Sequence, residues 1–372
     1  MQSFWEKQHL MRSNIAIIGG GIVGMSVAAS ILERDPKSRV RIYERSLLPY
    51  GASTRNAGFA CFGSLTEILS DIDLMGTESA RQLIFQRWMG LQITRKRLGD
   101  EKIGFVGSGG FELLSKDDQR IDKINEVNVL VEDFLPSYVS KAESLKSYLG
   151  IVSEGNLMSM RDEGQVNTGL LIRTLSDYIR EMGAEIITGA NIDAIDETDY
   201  GYALLCKDTF REEIQFEAEK VIICNNAFVR KLRPDIDAHP GRGQVLITKP
   251  IDGLLFQGNL HIDEGFYYLR NFENRLLFGG GRNLDFITEA TSKNELNESI
   301  QAELGLRLKT LFGSEFEFEV EQRWTGIMAF GAQKTPLIKE LKPNMFAAVR
   351  MSGMGIALAG YIGQELADQL LE

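Results

Sequence analysis

The chain has 372 residues, 44% hydrophobic and 25% charged, with a formal net charge of -11. That length exceeds one simple core and predicts two closely associated domains, in a composition that suits an α/β enzyme and excludes a disordered or fibrous protein. The acidic balance argues against nucleic acid or an anionic membrane surface as a general partner. Three separated cysteines (Cys61, Cys206, Cys224) form no disulfide framework and point to a reducing, cytoplasmic setting. With only three histidines, no metal site is expected. Residues 1–13 carry no long apolar segment or small-residue cleavage site, so no secretory signal is expected, and Trp5 there either packs back or stays on the surface. No stretch reaches the roughly 20 apolar residues of a membrane span.

Residues 14–18 form a short apolar run that reads as a buried parallel strand. It leads into Gly19, Gly21 and Gly24 at G-x-G-x-x-G spacing. Gly19 permits a tight turn, Gly21 lets backbone approach a pyrophosphate, and Gly24 lets the next helix lie against the sheet. That helix, over 22–30, presents unpaired N–H groups and a positive dipole end, which adds Ile22 and Val23 to the phosphate-binding set. Residues 40–43 read as a second strand ending at Glu44, 25 residues past Gly19 and placed to bond an adenosine ribose, with Arg45 beside it. Residues 47–64 are rich in small side chains and read as a loop entering a helix, with Ser53, Thr54, Arg55, Asn56, Ala57 and Gly58 close to the cofactor.

Helices are expected over 65–100 and, with a break near Pro136, over most of 116–149, separated by an extended element at 106–114. A long helix at 166–182 precedes strands at 185–188, 192–196, 202–206, 214–218 and 219–224. The last ends in the turn Cys224-Asn225-Asn226-Ala227, expected to face the adenosine side. Short extended runs at 243–248, 254–256, 266–269 and 275–278 predict an antiparallel or mixed sheet in a second domain. A helix over 289–312, a strand at 346–349, the glycine-rich loop 350–355 and a helix over 356–371 complete the reading.

The segments IIGGGIVG (17–24), YERS (43–46), GASTRNAGF (51–59), RGQV (242–245), YYLR (267–270), RLLFGGG (275–281), RWTG (323–326) and MSGMGIALA (351–359) carry a resemblance that covers essentially the whole chain. The chain is similar to FAD-dependent oxidoreductases of the D-amino-acid oxidase class, which includes glycine oxidase, sarcosine oxidase and D-amino-acid dehydrogenases. The resemblance implies an α/β fold with noncovalent FAD on a glutathione-reductase-like Rossmann domain, from 12–80, 150–235 and 320–372. A smaller mixed-sheet substrate (cap) domain, from 81–149 and 236–319, would cover it. It adds Asn225, Gly326, Gly353, Met354, Gly355 and Ile356 to the cofactor set, the 353–355 loop lying by the flavin. Backbone N–H groups at that helix start suit the negative charge that flavin gains on reduction.

The resemblance also assigns Tyr268 to the substrate, with Tyr267 pointing the other way along a strand. Met328 stands where the class has an arginine for the substrate carboxylate, and it cannot form a bidentate pair with an acid. Arg282, Lys334 and Arg242 are the replacement cations considered, the first two carried as catalytic candidates. Cys61 is expected to be a buried, inert thiol, and His239 and His261 to lie in cap-domain turns at the surface. The expected reaction is oxidation of a C–N bond in a small amine or amino acid, with oxygen or a quinone as electron acceptor and the oligomeric state open. The alternatives are oxidation of a 2-hydroxy acid and a flavin-binding protein whose catalytic pocket is lost.

Overall fold

The computed structural model describes residues 3–208 and 212–371. Among them, two eight-stranded sheets stand beside a two-stranded ribbon. The first sheet places Arg12–Ile18 at its centre, paired in parallel with Glu212–Ile223 on one side and Val40–Glu44 on the other. Glu185–Thr188 extends the Val40–Glu44 side, and Met345–Val349 with Leu337–Lys342 extends the other. The antiparallel strands Gly201–Asp208 and Ile192–Thr198 add to Glu212–Ile223. Val40–Glu44 is buried at every position and Arg12–Ile18 at most, without the alternation of a half-exposed strand. That pattern arises where both faces of a parallel sheet are covered.

Helix Ile22–Arg34 covers one face beside Thr168–Glu181 and Gly355–Leu371, and Thr77–Leu98 crosses the last of these. The crossing is tight because of two glycines. A Cβ on Gly90 would stand 2.2 Å from the Ala357 carbonyl oxygen, and one on Gly360 would stand 2.2 Å from that of Gly90. Backbone thus packs on backbone, and no side chain fits between.

The second sheet runs Val320–Phe330, His239–Thr248, Arg275–Gly280, Tyr267–Phe272, Asn259–Ile262, Gly110–Leu114, Asn156–Met160 and Val139–Lys141. Helix Glu298–Phe312 backs it, burying Ile300, Leu304, Leu308 and Leu311 against Leu246, Leu269 and Phe278. This spacing of three and four residues makes one apolar stripe.

Several expectations need revision. The helix expected from 289 begins at Glu298, because the Asn297 side chain caps it by accepting the Ile300 N–H at 3.3 Å. Glu289 is instead buried as an acceptor for Arg242, Gln244 and Asn297. Residues 116–149 hold one α-helix, Ile124–Val131, and a strand, Val139–Lys141, rather than a mainly helical block. Residues 254–256 form no strand, although Phe256 is buried. The runs at 214–218 and 219–224 are one continuous strand. Asn156–Met160 and Val320–Phe330, from segments expected in the nucleotide domain, pair in the second sheet. Trp5 is exposed. Among the described residues, no helix is long and apolar enough to cross a membrane.

The Gly90–Gly360 contact yields a stability prediction. Gly360→Leu overpacks the crossing and should cost about 3 kcal/mol, measured as a fall in denaturation midpoint, whereas Gln369→Leu on the outer face of the same helix should leave it nearly unchanged.

Candidate active site

The strand Arg12–Ile18 ends in a turn that only small residues allow. Gly19 has φ +114°, and a Cβ there would lie 2.8 Å from the Cys224 carbonyl oxygen at the end of the neighbouring strand. A Cβ on Gly24 would meet the Gly19 carbonyl oxygen at 2.1 Å, so the helix sits directly on the turn. Gly21 faces Ser53, whose hydroxyl accepts the first helical N–H, from Ile22, at 3.0 Å. Glu44 is buried and accepts N–H groups from Gly20 and Ser46, each at 3.0 Å.

A cavity of about 540 Å³ opens on these groups. Its walls include Glu44, Arg45, Ala190, Asn191 and Asn225 in one region and Gly19, Gly21, Ile22, Val23, Ser53, Arg55, Asn56, Ala57 and Gly58 in another. Gly326, Met328, Gly353, Met354, Gly355, Ile356 and Tyr268 complete it. Of the cofactor residues expected from sequence, only Gly24 and Thr54 are set back. Gly24 packs the turn, and the Thr54 hydroxyl donates to the Pro49 carbonyl at 2.8 Å. The Asn225 Oδ1 is buried with no hydrogen-bond partner among the described residues, and the Arg45 guanidinium lies 3.6 Å from the Phe228 ring centroid. A glycine cradle, a helix N-terminus, a buried ribose-side carboxylate and an orphaned acceptor fit a dinucleotide with a pyrophosphate at its middle.

The turn after Cys224 has a structural reason. Asn226 has φ +46°, and its Oδ1 accepts the Arg350 N–H at 2.9 Å. The loop from Arg350 itself turns through left-handed conformations at Arg350, Ser352 and Gly353 before the last helix begins at Gly355. Arg350 is anchored by Asp237 at 2.9 Å and by the Thr335 carbonyl. Arg55 binds the Thr325 carbonyl at 2.7 Å and stacks 3.9 Å from the Tyr50 ring centroid, so it ties the cofactor loop to the second sheet.

The cations considered for the substrate separate clearly. Arg242 lies off the cavity, bound by two hydrogen bonds of 2.9 and 2.7 Å to buried Glu289. Lys334 lines the cavity, but its ammonium is 2.6 Å from Asp71, which also faces Arg87 at 3.6 Å. Arg282 lines the cavity 3.9 Å from the Phe330 ring centroid and 5.0 Å from that of Phe286. Among the described residues no carboxylate comes within ion-pair distance of it, and its Nε is buried and unbonded. Tyr268 meets Phe59 edge-on, and its hydroxyl has no partner among the described residues. Burial pushes its pKa up to about 12, so it stays a neutral donor.

His261 is not a surface residue. It is 3% exposed and lines the cavity, with Nδ1 3.3 Å from Glu67 and Nε2 3.4 Å from Glu163. Glu163 is itself fixed by the Phe62 N–H at 3.0 Å and the Tyr138 hydroxyl at 2.7 Å. Burial alone would lower the imidazole pKa, but the facing carboxylates of Glu163 and Glu67 outweigh it and raise it to about 10. Burial likewise raises Glu67, yet His261 brings it down to about 2. Cys61 stands within 4.8 Å of His261 and Glu163 as a buried thiol whose pKa burial pushes well up, in accord with an inert role. The sequence missed His261 because Asn259–Ile262, buried at all four positions, lacks the alternation that marks a strand. Exposed His239 contacts Arg230 at 2.9 Å.

Fold and cavity together define an α/β protein built on a dinucleotide site. The family described as FAD dependent oxidoreductase matches residues 14–369, and the chain belongs to it. It is therefore an FAD-dependent enzyme. It is similar to the probable oxidoreductase OrdL of Haemophilus influenzae, with 22% identity covering 96% of this chain and 83% of that one. It shares its fold with glycine oxidase from Geobacillus kaustophilus, at TM-score 0.80 and 20% identity over 97% of this chain and 95% of that one. L-proline dehydrogenase from P. horikoshii follows at TM-score 0.79 and 16% identity, over 96% and 93%.

The ion triad predicts a pH dependence. A folded pKa of about 10 against an ordinary 6.5 means that the imidazolium stabilises fully below pH 6.5, and that this contribution fades as pH rises through about 10. His261→Gln should lower thermal stability at neutral pH and flatten its decline between those limits in a series of melts; a variant with the parent's profile contradicts the triad.

Proposed function

We propose that the protein oxidises the C–N bond of a small amine or amino acid. The observation that carries this reading over alcohol oxidation is the placement of His261, the one histidine among the cavity's lining residues, between two carboxylates. Removing hydride from a 2-hydroxy acid requires a base for the hydroxyl proton, and an imidazolium held by two carboxylates does not supply one. Neither does a phenol whose pKa is about 12 nor a carboxylate whose pKa is about 2. An amine that arrives neutral needs no such base.

FAD held by the glycine turn, Glu44 and the 353–355 loop supplies the two-electron acceptor for the substrate's hydride. Arg282 binds the substrate carboxylate in place of the arginine absent at position 328, and the Tyr268 hydroxyl donates a second hydrogen bond to it. Met328, Phe59 and Phe330 line the same space and keep water from it. Lys334 is held by Asp71 at the wall, so of the three cations considered Arg282 is the one left open to an anion. The likeness to glycine oxidase and L-proline dehydrogenase supports an amino-acid substrate. The electrons pass on to oxygen or a quinone. Three buried cysteines that form no disulfide among the described residues suit a reducing compartment such as the cytoplasm.

Anaerobic mixing of the FAD-loaded protein with amines, amino acids and 2-hydroxy acids tests the reading. Flavin absorbance should bleach with amino compounds, at a rate that rises with pH as the substrate amine loses its proton, and should persist with hydroxy acids. Bleaching by hydroxy acids alone favours alcohol oxidation, and no bleaching by any compound favours a lost pocket.

A further inference from the structure

Arg270 is buried, at 5% exposure, and differs from the other buried arginines in what it touches. Arg41 is bonded to Glu185, Arg242 to Glu289, Arg350 to Asp237, and Arg87 faces Asp71. Among the described residues, no carboxylate lies within ion-pair distance of Arg270. Its Nη1 instead donates to the carbonyl oxygens of Ala57 at 3.1 Å, Gly58 at 3.0 Å and Val166 at 2.8 Å, and its Nε to that of Asn271 at 3.1 Å. Ala57 and Gly58 form part of the cofactor cavity wall. Along the strand Tyr267–Phe272, Arg270 follows Tyr268 by two residues and so shares its face of the sheet. Gly58 has φ +78°, and a Cβ on it would stand 2.4 Å from Nη1, so this glycine leaves room for the guanidinium to reach the wall from behind.

We propose that Arg270 is a positioning residue for flavin chemistry: it fixes the Ala57–Gly58 wall and places behind it a positive charge that no carboxylate cancels, favouring the reduced state of bound FAD. A buried cation without a counter-ion is costly, and carbonyl dipoles offset only part of that cost. Reduction adds negative charge to the flavin, and a fixed cation close to it in a medium of low dielectric stabilises that charge more than it does the neutral oxidised ring. Burial lowers the guanidinium pKa to about 10, which leaves it charged at neutral pH. The two effects are separable, because wall geometry governs FAD retention and charge governs redox potential.

The test needs no substrate and is independent of the reaction proposed above. The midpoint potential and the FAD dissociation constant are measured for the parent, Arg270→Lys and Arg270→Gln. Arg270→Gln should shift the potential to more negative values, and Arg270→Lys, which keeps the charge, should stay close to the parent. Both should loosen FAD, by about tenfold or more for the loss of several hydrogen bonds from one charged group. An unchanged potential in Arg270→Gln, or an equal shift in both variants, overturns the charge role. Where Arg270→Gln does not fold, Arg270→Met, which keeps the packing of the side-chain stem and drops the charge, replaces it; a potential and an FAD affinity equal to the parent's there overturn the proposal.

Discussion

The structure depends on the approach of three pieces of backbone at the end of the central strand. Gly19 turns against the carbonyl of Cys224, and Gly24 carries the following helix onto the carbonyl of Gly19. Any side chain at either position would force the helix away from the strand ends, and with it the N–H groups of Ile22 and Val23. Everything on the nucleotide side is arranged around this contact. Glu44 holds the turn through Gly20, Ser53 meets the helix start, and Asn226 links the neighbouring strand end to the loop before the last helix. A helix N-terminus so placed is an anion site by virtue of its unpaired donors and aligned dipole.

The substrate end is organised by charge compensation. His261 is held by Glu67 and Glu163, Lys334 by Asp71, and Arg242 by Glu289. Each of these cations is occupied, and in a buried setting breaking such a pair is expensive. Two guanidiniums stand apart. Arg282 lies against aromatic rings at the cavity wall, and Arg270 lies behind that wall among carbonyl oxygens. One is open to a substrate anion and the other faces the cofactor side.

The parallel strands and the helices at 22–34, 77–98 and 168–181 were legible because a sheet covered on both faces leaves unbroken apolar runs, and helices leave a periodic stripe. The glycine spacing located the nucleotide turn, and all but two of the cofactor positions drawn from motifs line the cavity. The strand carrying His261 was not legible, since four buried residues with no alternation resemble a turn as much as a strand. Nor was the fate of the cations, because Arg242, Arg282 and Lys334 look alike in sequence. They differ only in whether Glu289 or Asp71, distant in the chain, has folded against them. Met328 lines the cavity, and three-dimensional packing leaves Arg282 as the open one of the three cations.

The central claim is that Arg282 replaces that arginine as the carboxylate anchor. The most direct measurement is a titration of the FAD-loaded protein with benzoate, an unreactive carboxylate, followed by perturbation of the flavin absorbance spectrum. The parent should bind, and Arg282→Met, with the same FAD content, should bind about tenfold or more weakly, the loss of a charge-assisted hydrogen-bonded pair. Equal affinity in the two proteins would contradict the account.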